Sequence, residues 1–253
     1  MIDMNIARSG FEIASALELP DNEVHLWRID FDAVRSEEAR WQRTLSPDET
    51  ARASRFHFAV DRQRYAISRG VLRTIVAGYL ATDAKNLDFV YSGKEKPSLS
   101  ATYSREGLMF NISHSGSVGL LAFTREREIG VDVEQVRSDF EVDAIARRFF
   151  SAHEQEQLAV LPEQERFEAF FRCWTRKEAY IKATGDGLSL PLDQFDVSIV
   201  SGHSDALIAT RPDKSEAARW LLREVPAGHG YLAALCAQGH DWKLKDWKDT
   251  SDS

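Results

Sequence analysis

The segment at residues 129–134 (IGVDVE) alternates between apolar and other side chains, which predicts a β-strand. Successive side chains of a strand lie on opposite faces, so the isoleucine and the two valines would share a face that points into the core. Asp132 and Glu134 share the other face with Gly130, and their side chains lie about 6.5 Å apart along the strand. The segment therefore predicts a sheet that carries a pair of carboxylates.

A long helix is predicted over residues 163–184, and Gly185 would end it. Within this helix, Glu178 and Lys182 lie four residues apart and therefore on one face, with Trp174 one turn before them. A third carboxylate brought up to the strand would make an oxygen-rich pocket suited to a hard divalent cation, and the lysine would suit a phosphate. This combination outlines a magnesium-dependent phosphoryl-transfer site.

Each pattern also has a structural interpretation. Acids commonly occupy the solvent-facing side of an alternating strand. A glutamate and a lysine four residues apart usually form a surface ion pair worth about 0.3 kcal/mol. Trp174 is favoured as a core residue. Ser151 followed by Glu154 is a capping-box pattern, which favours a structural role for Glu154 over a catalytic one.

Both segments stand in an ordered series of motifs that resembles the Sfp-type 4′-phosphopantetheinyl transferases. The series covers roughly residues 45–192. Its members, in chain order, are RFHF at 55–58, DRQRY at 61–65, SRGVLR at 68–73, KP at 96–97, FNISHSG at 110–116, IGVDVE at 129–134, RFFS at 148–151 with Glu154, WTRKEAYIK at 174–182, TGDGL at 184–188 and PL at 191–192. The Gly-Val-Asp and Trp-x-x-Lys-Glu-Ala elements are the signature pair of the family.

The resemblance implies transfer of 4′-phosphopantetheine from coenzyme A to a serine of an apo acyl or peptidyl carrier protein. The reaction would require Mg²⁺ and release adenosine 3′,5′-bisphosphate. By position, Asp132, Glu134 and Glu178 are implied as metal ligands, and Glu178 and Lys182 as catalytic residues. The residues implied to bind coenzyme A are Arg52, Arg64, Lys96, Pro97, Ser113, His114 and Lys182. The family often has a lysine where Arg52 stands, and a further basic contact of some members falls near Glu49.

The arginines of the first half are unevenly distributed. Residues 51–80 contain six arginines and one acid, Asp61. Arginine presents a planar fork that suits phosphate oxygens, and coenzyme A carries three phosphates. The alternative is a helix whose arginines are solvated or paired. For His114 the isolated residue favours a structural role, whereas its place in the matched SHSG turn favours a bond to a phosphate oxygen.

The composition bounds the remaining possibilities. With 43% hydrophobic and 28% charged residues, the chain is typical of a soluble globular protein. Its net charge of −8 argues against binding nucleic acid. No apolar run is long enough for a membrane span, and no secretion signal is recognised. Two cysteines, Cys173 and Cys236, predict neither a disulfide framework nor a zinc site, and they fit the cytoplasm.

The repeated order of strands and helices, together with the resemblance, predicts a mixed α/β (α+β) fold. It would have two similar lobes in a pseudo-twofold arrangement, each a small sheet packed with a long helix. The predicted lobes are residues 1–124, with the coenzyme A contacts, and residues 125–240, with the metal site and catalytic helix. Residues 241–253 would be a polar tail. A ligand cleft is expected between the lobes, and the chain is expected to be a monomer.

Other elements follow from periodicity and capping signals. Ser46, as the cap, begins a helix expected to run to about Phe58, and a longer helix is predicted between Asp61 and Leu80. A further helix is predicted at 142–149. The remaining predicted strands lie at 24–30, 108–113, 118–124, 195–199, 220–225 and 231–237.

Two other functional classes remain open. One is a magnesium-dependent hydrolase of coenzyme A or a nucleotide, which would act without an acceptor protein. The other is a non-catalytic binder of coenzyme A or of a carrier protein. Loss of a carboxylate or of the lysine would favour the binder, but all four candidate residues are present.

Overall fold

A computed structural model of the chain describes residues 5–6, 16–91, 97–103, 106–138, 141–203 and 205–246. Within these ranges it contains six α-helices and twelve β-strands, which confirms the predicted mixed α+β class. In chain order the elements are β1 (Asn5–Ile6), β2 (Glu23–Asp30), α1 (Glu38–Gln42), α2 (Pro47–Ala53), α3 (Ala59–Leu80), β3 (Phe89–Tyr91), β4 (Pro97–Leu99), β5 (Leu108–Ser115), β6 (Val118–Arg125), β7 (Ile129–Gln135), α4 (Val142–Phe149), α5 (Ala152–Ala159), α6 (Glu163–Thr184), β8 (Phe195–Val197), β9 (Leu207–Thr210), β10 (Trp220–Glu224), β11 (Tyr231–Gln238) and β12 (Lys243–Asp246).

Contacts divide the chain into two compact units. Unit 1 comprises Met1–Leu108, Ser117–Arg125 and Lys243–Ser253, and unit 2 comprises Met109–Gly116 and Glu126–Trp242. The lobe boundaries given by the sequence, with their functional labels, stay a prediction. Across the described ranges, none of the helices combines the length and apolarity that a membrane crossing needs.

In unit 1 the long helix α3 packs against a sheet. Strand β2 pairs with β6 in antiparallel fashion, and with β1 and β12 in parallel fashion. The Tyr79 hydroxyl of α3 accepts a hydrogen bond from Trp27 Nε1 of β2 at 3.0 Å. Its ring also lies 5.2 Å from that of Phe123 on β6, between centroids. This buried contact joins helix and sheet into one core.

In unit 2 the strands β10, β11 and β7 form an antiparallel sheet in that order. The long helix α6 packs against it and buries its apolar side chains in the core of the unit. It ends as predicted at Gly185, whose φ of +77° is a left-handed conformation that glycine adopts without strain.

Two helix boundaries in unit 1 differ from the sequence prediction. The helix begun by Ser46 ends at Ala53 rather than near Phe58. Beyond it, the Arg55 and Phe56 nitrogens bond carbonyl oxygens three residues back instead of four, so the chain continues as turns. Phe58 is extended, and α3 therefore starts at Ala59, before Asp61.

Five of the described strands were not predicted, namely β1, β3, β4, β9 and β12. Leu207–Thr210 pairs with β8, although its four residues leave Ile208 half exposed and give little periodic signal. Lys243–Asp246 lies in the segment expected to be a polar tail and pairs with β2. Its pairing is carried by main-chain hydrogen bonds, which a polar side-chain sequence does not reveal.

Candidate active site

The candidate site forms where helix α6 approaches strand β7 at Gly130. A β-carbon placed on Gly130 would lie 2.1 Å from the Ala179 carbonyl oxygen and 2.4 Å from the Ala183 nitrogen. These are backbone atoms that cannot move aside cheaply, so the close approach requires glycine. The same contact brings the acidic face of β7 under the helix. Asp132 is consequently only 3% exposed, which contradicts the interpretation of this face as solvated.

Lys182 reaches from the helix to the strand. Its Nζ donates to Asp132 Oδ1 at 2.6 Å and to Ser113 Oγ at 3.1 Å, and it lies 3.3 Å from the Val131 carbonyl oxygen. Ser113 Oγ also donates to Asp132 Oδ1 at 2.8 Å. The structure therefore brings together three predicted site residues from β5, β7 and α6.

The second oxygen of Asp132 is in a different situation. Asp132 Oδ2 is buried and has no hydrogen-bond partner among the described residues. A buried carboxylate oxygen without a partner carries an appreciable desolvation cost, which a bound water, ion or ligand would remove.

The surroundings of Glu134 and Glu178 disfavour their ionised forms in the protein alone. Burial raises the pKa of Glu178 to about 7, with the Asp132 and Glu134 carboxylates adding to the rise and Lys182 opposing it. Burial and the neighbouring Asp132 also raise the pKa of Glu134, which the hydrogen bond from Ser115 and the charge of Lys182 partly offset. A cation among these carboxylates would relieve their repulsion.

The chemistry of the three carboxylates suits Mg²⁺, although their side chains do not converge on one point in the structure. Within the parts of the chain that the structure describes, no cluster of three or more His, Cys, Asp or Glu side chains is close enough to hold a metal ion. The carboxylate oxygens of Asp132, Glu134 and Glu178 are hard ligands of the kind that Mg²⁺ takes. The orphaned Asp132 Oδ2 is the observation that favours a cation here.

Arg52 lines a cavity in unit 1. The cavity has a volume of about 520 Å³, and its walls are Asp48, Glu49, Ala51, Arg52, Arg55, Phe56 and Tyr65. The Arg52 guanidinium carbon lies 5.9 Å from the centroid of the Tyr65 ring. Arg64 is half-buried on α3. Near Glu49 the resemblance points to a further basic contact, but Glu49 pairs with Arg73 at 2.6 Å, and both side chains are 2% exposed.

The other predicted coenzyme A residues lie at strand ends. His114 is exposed near the end of β5, and Ser113 beside it is half-buried. Pro97 is buried at the start of β4. Lys96 lies outside the described residues.

The structural role favoured for Glu154 is confirmed. Its carboxylate accepts hydrogen bonds from the Ser151 nitrogen at 2.9 Å and the Val197 nitrogen at 2.8 Å, and it pairs with Lys177 at 2.8 Å. Trp174 stacks on Phe170 with the ring centroids 6.2 Å apart, as expected of a core residue.

Sequence reasoning missed two polar residues of β5. Asn111 Oδ1 accepts from the Val131 nitrogen at 3.0 Å, and Ser115 Oγ donates to Glu134 Oε2 at 2.7 Å. The signal that could have found them is their spacing, because Asn111, Ser113 and Ser115 alternate along one strand face.

Comparison with known proteins finds relatives over most of the chain. A model of the 4′-phosphopantetheinyl transferase superfamily matches residues 128–236, and a model of the 4′-phosphopantetheinyl transferase N-terminal region matches residues 31–126. The 4′-phosphopantetheinyl transferase HetI of a Nostoc species is 40% identical, over 91% of this chain and 94% of its own. The 4′-phosphopantetheinyl transferase Sfp of Bacillus subtilis is 30% identical, over 85% and 91%.

The matches extend across both halves of the chain. Together, the two models span the motifs of the first half and the segments that form the candidate site. The length and identity of the HetI match leave no large part of the chain unaccounted for. The chain belongs to the 4′-phosphopantetheinyl transferase superfamily.

Proposed function

We propose that this protein transfers the 4′-phosphopantetheine group of coenzyme A to a serine hydroxyl of an apo acyl or peptidyl carrier protein. The observation that carries the proposal is the contact of Lys182 with Asp132, at 2.6 Å, beside a buried carboxylate oxygen that lacks a partner. A lysine next to carboxylates can bind a phosphate through its ammonium group and a divalent cation through the carboxylate oxygens.

Asp132, Glu134 and Glu178 would hold Mg²⁺. Bound there, the ion would neutralise pyrophosphate charge and make the phosphorus more open to attack. The site fits the ion because it offers hard oxygen ligands, one of them buried without a partner.

Glu178 acts as the base. The carrier serine oxygen forms a bond to the β-phosphorus of coenzyme A, its proton passes to Glu178, and the bond from that phosphorus to the bridging oxygen breaks. Burial raises the pKa of Glu178 to about 7 in the protein alone, and a cation held by the three acids would lower it and keep the carboxylate ionised to accept the proton.

Lys182 stabilises the leaving adenosine 3′,5′-bisphosphate. Its ammonium group is a compact charge with three donors, and it can give a proton to the departing phosphate oxygen. In the structure its three donors are directed to Asp132, Ser113 and the Val131 carbonyl oxygen, so a substrate phosphate would replace one of these acceptors. The contact with Asp132 holds the ammonium group beside the proposed cation site, and a group held in place in this way lowers the barrier more than a mobile one.

Arg52 and Arg64 are the proposed contacts of the 3′-phosphate. Arg52 is supported by its place in the wall of the cavity beside Tyr65. Lys96, Pro97, Ser113 and His114 are proposed as further coenzyme A contacts, on the resemblance of their motifs to the family pattern. We also expect a cytoplasmic monomer with no nucleic-acid or membrane partner, consistent with the net charge of −8.

Intact-mass spectrometry tests the function directly. An apo carrier protein incubated with the enzyme, coenzyme A and Mg²⁺ should gain about 340 Da, the mass of one phosphopantetheine group. EDTA and the substitution D132A should each abolish the gain, whereas D143A, an exposed aspartate of α4, should not. Release of adenosine 3′,5′-bisphosphate without any carrier would favour the hydrolase, and coenzyme A binding without turnover would favour the binder.

A further inference from the structure

Three polar side chains of β5 form a ladder against β7. Asn111, Ser113 and Ser115 occupy alternate positions, and each makes a hydrogen bond to residues 131–135. Asn111 accepts from a main-chain nitrogen, whereas the two serines donate to the two carboxylates. The spacing of the serines along β5 therefore matches the spacing of the acids along β7.

Each serine holds one oxygen of one carboxylate. Ser113 Oγ bonds Asp132 Oδ1 at 2.8 Å, and Ser115 Oγ bonds Glu134 Oε2 at 2.7 Å. For Asp132 this leaves Oδ2 buried and without a partner among the described residues. The arrangement therefore fixes one oxygen of each carboxylate, and at Asp132 it leaves the second oxygen available for an additional ligand.

The Ser115 hydroxyl is itself fixed by the backbone. Its oxygen accepts the Gln135 nitrogen at 3.1 Å while its proton goes to Glu134. A hydroxyl can rotate freely. Because the Ser115 oxygen accepts a main-chain hydrogen bond, however, its proton is directed away from that nitrogen and towards Glu134. Ser115 is half-buried, and its hydrogen bond to a charged acceptor is stronger than one between neutral groups.

We propose that Ser115 is a positioning residue that orients the Glu134 carboxylate for the divalent cation. The inference rests on the proposed function, because that function supplies the cation. Ser115 touches neither the reacting atoms nor coenzyme A in this role, and it acts through Glu134 alone. Partners of metal-binding carboxylates typically contribute about 10- to 100-fold to metal affinity.

A direct titration of Mn²⁺ tests the proposal without relying on activity. Free Mn²⁺ is followed by its electron paramagnetic resonance signal in the metal-stripped full chain, without coenzyme A. S115A should raise the Kd for Mn²⁺ by about tenfold. S115T keeps the hydroxyl and should stay within about twofold of wild type. S138A removes an exposed serine that follows β7, the strand of Glu134, and should change nothing.

The transfer reaction gives a second readout. S115A should raise the KM for Mg²⁺ by a factor similar to the change in Kd, while kcat at saturating Mg²⁺ stays within about twofold. A role in packing alone would lower the Tm without moving the Kd of the folded protein. If S115A is too unstable to titrate, S115C offers nearly the same volume with a weak donor and should weaken binding in the same direction.

An unchanged Mn²⁺ Kd in S115A would overturn the proposal, as would an equal loss in S138A. Wild-type protein that binds no Mn²⁺ would overturn it together with the metal assignment. The proposed function fails separately, through the absence of transfer to carrier proteins. A protein that transfers normally while S115A binds Mn²⁺ like wild type would therefore lose only this inference.

Discussion

Two lysines of helix α6, five residues apart, each pair with a carboxylate. The two pairs differ in whether all of their buried polar atoms have hydrogen-bond partners. Lys177 lies 2.8 Å from Glu154, and both side chains are 0% exposed. Lys182 lies 2.6 Å from Asp132, and these side chains are 27% and 5% exposed. Both pairs are close, so distance does not tell which pair belongs to a site.

The difference lies in how fully the polar atoms are satisfied. Lys177 Nζ also donates to the carbonyl oxygens of Leu192 at 2.6 Å and Phe195 at 2.8 Å, which uses its three donors. Lys182 Nζ likewise has three acceptors, so the difference lies in the acids. Each oxygen of Glu154 accepts a main-chain hydrogen bond, whereas Asp132 keeps a buried oxygen without a partner among the described residues. The complete pair is a structural clamp between helix and loop, and the incomplete pair is where a ligand would be accommodated.

Breaking the complete pair should have the largest effect. K177M leaves the Glu154 carboxylate buried without its cation, and the loss of one partner from a buried pair costs about 3–5 kcal/mol. Urea unfolding should show this drop in the free energy of unfolding. K214M removes an exposed lysine and serves as the matched control. A drop below about 1 kcal/mol for K177M would mean that the clamp is not a structural element.

Breaking the incomplete pair should instead affect the reaction. K182M should lower kcat for transfer by about 10²- to 10³-fold, the usual cost of losing one oriented donor. Its unfolding free energy should fall by less than that of K177M, because Lys182 is partly exposed. Near-normal transfer by K182M would remove the lysine from the mechanism.

The order of helices and strands could be predicted from the sequence, whereas the hydrogen bonding of the two lysine–carboxylate pairs could not. Alternation and capping signals located β7, α4 and α6, with α4 confirmed at Val142–Phe149. The capping box of Glu154 was also recognised. The burial of Lys177 was not, because the carbonyls that accept its protons come from residues 192 and 195, far along the chain. Side-chain satisfaction depends on such tertiary contacts, which periodicity does not encode.

Removing the charge of Glu154 should sharpen the comparison. E154Q added to K177M eliminates the buried unpaired carboxylate. It keeps one oxygen acceptor, so only one of the Ser151 and Val197 nitrogens, which bond different oxygens of Glu154, retains its partner. The double variant should therefore recover part of the loss in unfolding free energy caused by K177M, about 1 kcal/mol. Equal stability of the single and double variants would argue that lost packing, and not the unpaired charge, destabilises K177M.

Unit 1 contains another fully bonded buried group, His25. Its Nδ1 lies 2.7 Å from the Tyr79 hydroxyl, and its Nε2 lies 2.8 Å from Glu23 Oε2. Trp27 Nε1 donates to the same hydroxyl, so the tyrosine proton is free to go to Nδ1. A neutral imidazole with its proton on Nε2 satisfies every contact, and no proton can be added to Nδ1 without displacing that of Tyr79.

The smallest expected effect is a pH dependence from this histidine. Burial lowers the pKa of His25 below 6.5, with the Lys245 charge adding to the shift and the Glu23 hydrogen bond opposing it. Below pH 6.5, His25 therefore binds a proton in the unfolded chain but stays neutral in the folded protein. The free energy of unfolding consequently falls as the pH falls below 6.5. Unfolding followed in urea at several pH values should show this fall in wild type and in H57Q, an exposed histidine, but a weaker fall in H25Q. Identical pH profiles for H25Q and wild type would show that the lowered pKa of His25 does not contribute to the pH dependence of the unfolding free energy.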